Sequence, residues 1–219
     1  MKIALTAVVG ALAVFAAVAV AATTAAPAAP APTAATYDAA QYDSGGRLLF
    51  PADYRRWVFL SSGSDMSYSP QAMAGRHMFD NSFVDPAAYD AFIKTAHWPD
   101  GSIFIIEVRR GETKGSITQS GIFQSGAPLA WEVHVKDSKR FPTGWGFFSF
   151  NGPAPATLIP AAAGCYSCHQ AHAAVDTTFM QFYPTLLPIA QKAGVISPAY
   201  LKELAALQAQ PEAGGHPSP

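Results

Sequence analysis

Cysteine is nearly absent from this chain of 219 residues, which holds only two. That excludes a disulfide-dense scaffold. A basic excess is also missing: 14 lysines and arginines face 15 aspartates and glutamates, for a net charge of −1. Nothing in that balance neutralises a phosphate backbone, so nucleic acid is excluded as an expected partner. Charge of either sign is scarce. Charged residues make up 13% of the chain, about half the roughly 25% usual for soluble domains. With half of its residues hydrophobic, the chain does not have the composition of a solvated, disordered polymer.

Long uncharged runs are confined to the N-terminus. Lys2 is followed by an uncharged stretch from Ile3 to Ala22, and residues 1–40 contain 18 alanines. Ala19-Val20-Ala21 fits an A-x-A cleavage pattern, so residues 1–21 read as a secretory signal peptide. A run of this length also suits an uncleaved membrane tether, but alanine and glycine make it only weakly lipophilic. Residues 22–44 form an Ala/Pro-rich linker, because Pro27, Pro30 and Pro32 remove amide donors and keep the chain extended. The expected location is periplasmic or otherwise exported. Aromatics tell the opposite story: of 26, only Phe15 precedes Tyr37. The apolar character of the body is therefore aromatic, as in a domain that encloses a large flat cofactor.

The body, residues 45–195, alternates short apolar runs with turn signals. Strands are expected at Trp57–Leu60, Met78–Val84, Ser102–Arg109, Ile117–Gln124, Leu129–Lys136 and Gly146–Phe150. The separating turns are Ser61-Ser62-Gly63, Asp100-Gly101, Arg110-Gly111, Ser125-Gly126 and Pro142-Thr143-Gly144. Pro86 to Thr95 reads as a helix capped by Asp85. Residues 161–194 read as helical, broken near Asp176 and Pro184. Residues 196–219 give a terminal helix from Ser197-Pro198, with Leu201, Leu204 and Leu207 spaced along it, and then a disordered tail. The expected fold class is α+β, a predominantly antiparallel β-sheet with helices.

Both cysteines lie in Cys165-Tyr166-Ser167-Cys168-His169, the C-x-x-C-H pattern of covalent c-type haem attachment. On one helical turn, two intervening residues let each sulfur reach one haem vinyl group, and the adjacent histidine turns toward the iron as proximal ligand. The motif sits on a C-terminal helical segment. A thioredoxin-like site would instead follow the first strand of a βαβ unit. A zinc site would need ligands beyond these two cysteines. Only 50 residues follow His169, and Met180 is the one methionine among them. Met180 reads better as a core filler than as a second axial ligand. His77 and Met78 are weak candidates for that role, and His172 shares a helix side with His169 and cannot reach the opposite haem face.

In Trp131-Glu132-Val133-His134-Val135-Lys136 the alternation is strict, with Glu132, His134 and Lys136 on one face. That face fits either a solvent-facing polar strip or the wall of a haem pocket. Phe79 and Phe83 share a strand face and fit either an aromatic lid over the haem or plain core. Asp176 fits a helix cap or a part of the haem surroundings. Arg55 and Arg56 fit either partners of the haem propionates or surface residues.

Taken together, Arg47-Leu48-Leu49-Phe50-Pro51-Ala52-Asp53-Tyr54-Arg55-Arg56-Trp57-Val58, Val84-Asp85-Pro86, Trp98-Pro99-Asp100-Gly101, Val135 to Phe141, Gly144-Trp145-Gly146 and the haem motif through Phe182-Tyr183-Pro184 resemble the cytochrome P-460 family, which includes the cytochromes c′-beta. The resemblance spans residues 47–184 in order. It implies a largely antiparallel β fold, a homodimer, and one covalent haem c with His169 proximal. It also implies a five-coordinate iron open to a small gaseous or N-oxide ligand such as nitric oxide or hydroxylamine, and a possible redox partner protein. Hydroxylamine-oxidising members carry a lysine bonded to the porphyrin edge, and here Ile106 stands at that position. The resemblance therefore points to the c′-beta branch, while a hydroxylamine, nitric oxide or peroxide oxidoreductase and a plain electron carrier remain alternatives. Glu132 matches a pocket glutamate that handles protons in the enzymatic members.

Overall fold

The computed structural model describes residues 40–67 and 76–209. The expected signal peptide, almost all of the linker and the C-terminal tail lie outside the described residues. Five antiparallel strands form one sheet in the order β1 (Val58–Ser64), β2 (His77–Val84), β3 (Ile103–Glu112), β4 (Phe123–Lys136) and β5 (Trp145–Phe150). Helices α1 (Pro86–Thr95), α2 (Gly164–His172), α3 (Leu187–Ala193) and α4 (Pro198–Gln208) complete an α+β domain. Among the described residues, no helix is long and apolar enough to cross a membrane.

Helix α1 has the limits its signals predict. The Asp85 carboxylate accepts from the Ala88 amide at 2.8 Å, Pro86 occupies the first turn, and Ala96 closes the helix in the left-handed region. Asp85 also accepts from the Ile103 amide at 2.8 Å, which ties the helix start to β3. Helix α4 is capped in the same manner by Ser197, whose hydroxyl accepts from the Tyr200 amide at 3.2 Å.

The strands differ from expectation in their lengths. Ser61-Ser62-Gly63 and Arg110-Gly111 are not turns; they continue β1 and β3 and pair with β2. Gly111 serves close approach instead of a turn, because a Cβ there would sit 2.8 Å from the Cβ of His77. The two strands expected on either side of Ser125-Gly126 are one 14-residue strand, and residues 117–122 are irregular. Gly126, at φ +68°, sits in a bulge: residues 126–129 of β4 stand opposite Arg109 alone. The Arg109 guanidinium donates to the Gly126 carbonyl at 2.7 Å and fills the gap in the ladder.

Each face of the sheet has its own core. On one side Val84, Phe104, Trp145 and Phe147 pack with Phe92 and Trp98 from the α1 region and with Met180, Leu186 and Ala190. Met180 is fully buried there, as a core filler. On the other side Ile103, Ile105, Val133, Phe148 and Phe150 pack against Leu48, Tyr54 and Trp57 of the N-terminal segment. That second face holds a buried carboxylate, Glu107, which accepts from Tyr54 Oη and from the guanidinium groups of Arg55 and Arg109. Trp131 Nε1 donates to Tyr54 Oη at 2.9 Å and extends the network.

Candidate functional site

Alternation along the strands decides what the first face presents. Ser82, Ile106 and Glu132 stand side by side on β2, β3 and β4. Their side chains therefore point the same way, with His134 two residues on from Glu132. Helix α2 lies over this face. Cys165 and Cys168 are three residues apart on it, so their sulfurs lie one turn apart on the same side. Both thiols are free and half-buried. A cavity of about 460 Å³ separates the sheet from the segment after α2. Ser82, Ile106, Val108 and Glu132 line the sheet side, and His169, Phe179, Phe182, Tyr183 and Pro184 line the other. This volume falls within the roughly 300–1,000 Å³ of small-molecule sites.

His169 is prepared to bind a metal. Its Nδ1 lies 2.7 Å from the Thr177 carbonyl oxygen. A carbonyl only accepts, so Nδ1 carries the proton and Nε2 keeps its lone pair. Burial lowers the His169 pKa, with the Thr177 hydrogen bond opposing it, and the neutral imidazole is the form that ligates iron. The ring is held by Phe179 at 4.3 Å, Phe147 at 4.8 Å and His134 at 4.8 Å between centroids.

His134 is a residue that the sequence reading left on an undecided face. It is stacked on Phe147 at 4.1 Å, and burial, with the nearby His169 second, pushes its pKa well down. It is an uncharged wall of the site. Glu132 is pushed the other way: burial raises its pKa first, and the Asp80 carboxylate adds to the effect. Burial raises Asp80 as well. Both carboxyl groups line the cavity, and both hold protons to a higher pH than a solvated carboxylate does.

The structure thus brings His169, Ile106 and Glu132 to the lining of one cavity, and Cys165 and Cys168 share helix α2 with His169. It does not bring Phe79 there, and it turns the Phe83 ring away. Phe83 borders the narrow inner end of the cleft, but its ring packs on Tyr54 at 5.6 Å and Phe59 at 5.5 Å. Both phenylalanines alternate with Ser82 and so belong to the opposite face, which corrects the lid assignment. Arg55 is likewise engaged with Glu107 on that face. His77 pairs with Asp65 at 2.7 Å, and His172 pairs with Glu203 at 2.9 Å. Asp176 caps no helix; it belongs to the surroundings of His169. Sequence reasoning missed Met66, which lines the cavity, and Asp80, whose alternation with Asn81 gives no sign of which face is enclosed.

The residues fit a haem. Two free thiols one turn apart, an imidazole with its proton fixed on the far nitrogen, and an adjoining cavity are the donor set and the space that such a group requires. Among the described residues, no group of three or more His, Cys, Asp or Glu is placed to hold a bare metal ion. A family model described as Cytochrome P460 matches residues 51–180, more than half of the chain. No curated protein matches the chain.

Proposed function

The chain belongs to the cytochrome P460 family and is a haem protein, and from that premise we propose an exported c-type cytochrome with one haem, held by thioether bonds to Cys165 and Cys168. In this reading His169 is the single protein ligand of the iron, and the other coordination position takes a small neutral ligand, nitric oxide foremost. The observation that carries the reading is His169 itself: it lines the cavity with its proton committed to Thr177. When bound there, the haem supplies an iron that takes up a diatomic ligand and exchanges an electron.

The chain's own residues then set which ligands enter. Ile106 and Val108 give an apolar stretch of wall that suits a neutral diatomic, and among the described residues no lysine or arginine lines the cavity to neutralise an anion. Ile106 has no nucleophile for a bond to the porphyrin edge, which favours ligand binding over hydroxylamine oxidation. Glu132 and Asp80 are placed to hold or accept a proton beside a bound ligand, the role the oxidoreductase alternative would require.

One observation favours a second reading. Met66, two residues beyond β1, lines the same cavity. A thioether there suits an electron carrier, in which Met66 would hold the haem iron together with His169.

Titration of the reduced holoprotein with nitric oxide, followed by absorption, tests the choice. A saturable shift of the Soret band is expected. A spectrum unchanged by the gas, with the haem retained after denaturation, would sink the ligand-binding reading and leave the carrier.

A further inference from the structure

The carbonyl that receives the His169 proton belongs to a turn that the backbone does not favour. Val175 and Thr178 pair across it, with the Thr178 amide donating to the Val175 carbonyl at 2.7 Å. Its two central residues, Asp176 and Thr177, have φ of +45° and +55°. Two consecutive positive φ values define a type I′ turn, whose usual occupants are Asn-Gly or Asp-Gly. Thr177 is β-branched and resists this conformation. Something outside the turn must hold it.

Side chains from three separate segments do so. Lys136, at the end of β4, donates from Nζ to an Asp176 carboxylate oxygen and, at 2.8 Å, to the Trp98 carbonyl. Trp145 Nε1, on β5, lies 3.4 Å from the other Asp176 oxygen. Trp98 Nε1 donates to Thr178 Oγ1 at 3.2 Å. The Asp176 carboxylate is thus bridged to two sheet strands one residue before the carbonyl that faces His169.

We propose that Lys136, Asp176 and Trp145 form a clamp that fixes the Asp176–Thr177 turn and so orients the His169 imidazole, the residue that would hold a haem iron. They are positioning residues: none touches the iron site, and all act through the Thr177 carbonyl. A fixed acceptor keeps the imidazole in one tautomer and one ring orientation and raises its basicity toward a metal. The clamp rests on the haem reading above, and it explains why a threonine is held where glycine would be at ease.

The test uses the haem-loaded full chain and the solvent exchange of the His169 Nδ1 proton, followed by nuclear magnetic resonance. Lys136→Met and Asp176→Ala are each expected to speed exchange about five- to tenfold, the equivalent of one typical hydrogen bond. Lys136→Arg, which keeps the ion pair, and Thr177→Gly, which keeps the carbonyl and suits the positive φ, are expected to stay near the wild type. Lys136→Met and Asp176→Ala change charge in opposite senses, so acceleration in both is not a field effect. Unchanged exchange, or changes of opposite direction in those two, with haem still covalently held, would overturn the clamp alone. A wild-type chain matured in a haem-attaching host without covalent haem would overturn the haem reading and the clamp with it.

Discussion

Replacing His169 by glycine is expected to leave a haem covalently attached while abolishing the wild-type spectrum, with added imidazole restoring it. The two functions of the motif are separable because different atoms perform them. In the proposed haem protein Cys165 and Cys168 would hold the group by covalent bonds, whereas His169 would contribute a lone pair at Nε2. Removing the side chain opens a space walled by Phe147, Phe179 and His134, which suits a free imidazole ring. The Thr177 carbonyl stays in place to accept its N–H. Rescue should therefore exceed that by pyridine, which has no such proton to donate. Intact mass after denaturation and a titration of the absorption spectrum read the two outcomes. Loss of haem from the variant would show that His169 serves attachment more than ligation.

The largest effect on stability is expected on the other face of the sheet. Glu107→Ala should destabilise the fold by about 3 kcal/mol, in the range found when one partner of a buried ion pair is removed. Glu107 is 1% exposed and serves Tyr54, Arg55 and Arg109 together. Arg55 reaches solvent and can rehydrate, but Arg109 and Tyr54 are largely enclosed and would lose their acceptor. Burial alone would raise the Glu107 pKa; the hydrogen bonds from Tyr54 and Arg109 and the charges of Arg55 and Arg109 outweigh it and hold the carboxyl below its ordinary value. The other end responds in the opposite sense, with burial first and the Glu107 bond next pushing Tyr54 up to about 12. A depressed carboxyl contributes stability above its unfolded pKa and loses it as pH falls through the folded value. The destabilisation by Glu107→Ala, read from urea unfolding, should therefore be full at pH 7 and shrink as the medium is acidified below the usual glutamate range. An effect that persisted unchanged in acid would point to lost packing instead of lost charge.

How far such a molecule can be read from its residues depends on how local the determinants are. The Asp85 cap, the helix after Pro86 and the breaks near Asp176 and Pro184 rest on neighbours in sequence, and the structure shows those elements. Strand limits rest on pairing instead. Ser125-Gly126 looks like a turn until β3 is alongside, when it becomes a bulge filled by Arg109. The same holds for faces. Alternation in Trp131 to Lys136 places Glu132 and His134 together, but only the helices over the sheet make that face an interior. Phe79 and Phe83 illustrate the opposite error: their aromatic character suited a lid, and their parity with Ser82 put them on the other side. The break near Asp176 is legible, but the left-handed conformation of the Asp176–Thr177 turn is not, since neither residue is the glycine such a turn prefers. It exists because Lys136 and Trp145, some 30 to 40 residues earlier, hold it.

The central proposal is that His169 alone among the chain's residues would hold the haem iron, leaving the cavity lined by Ile106 and Glu132 to a small ligand. The electron paramagnetic resonance spectrum of the ferric holoprotein tests that most directly. A high-spin signal, converted on addition of a strong external ligand, is the predicted result. A low-spin signal in the resting protein, altered in Met66→Leu, would contradict it and place a second protein ligand on the iron.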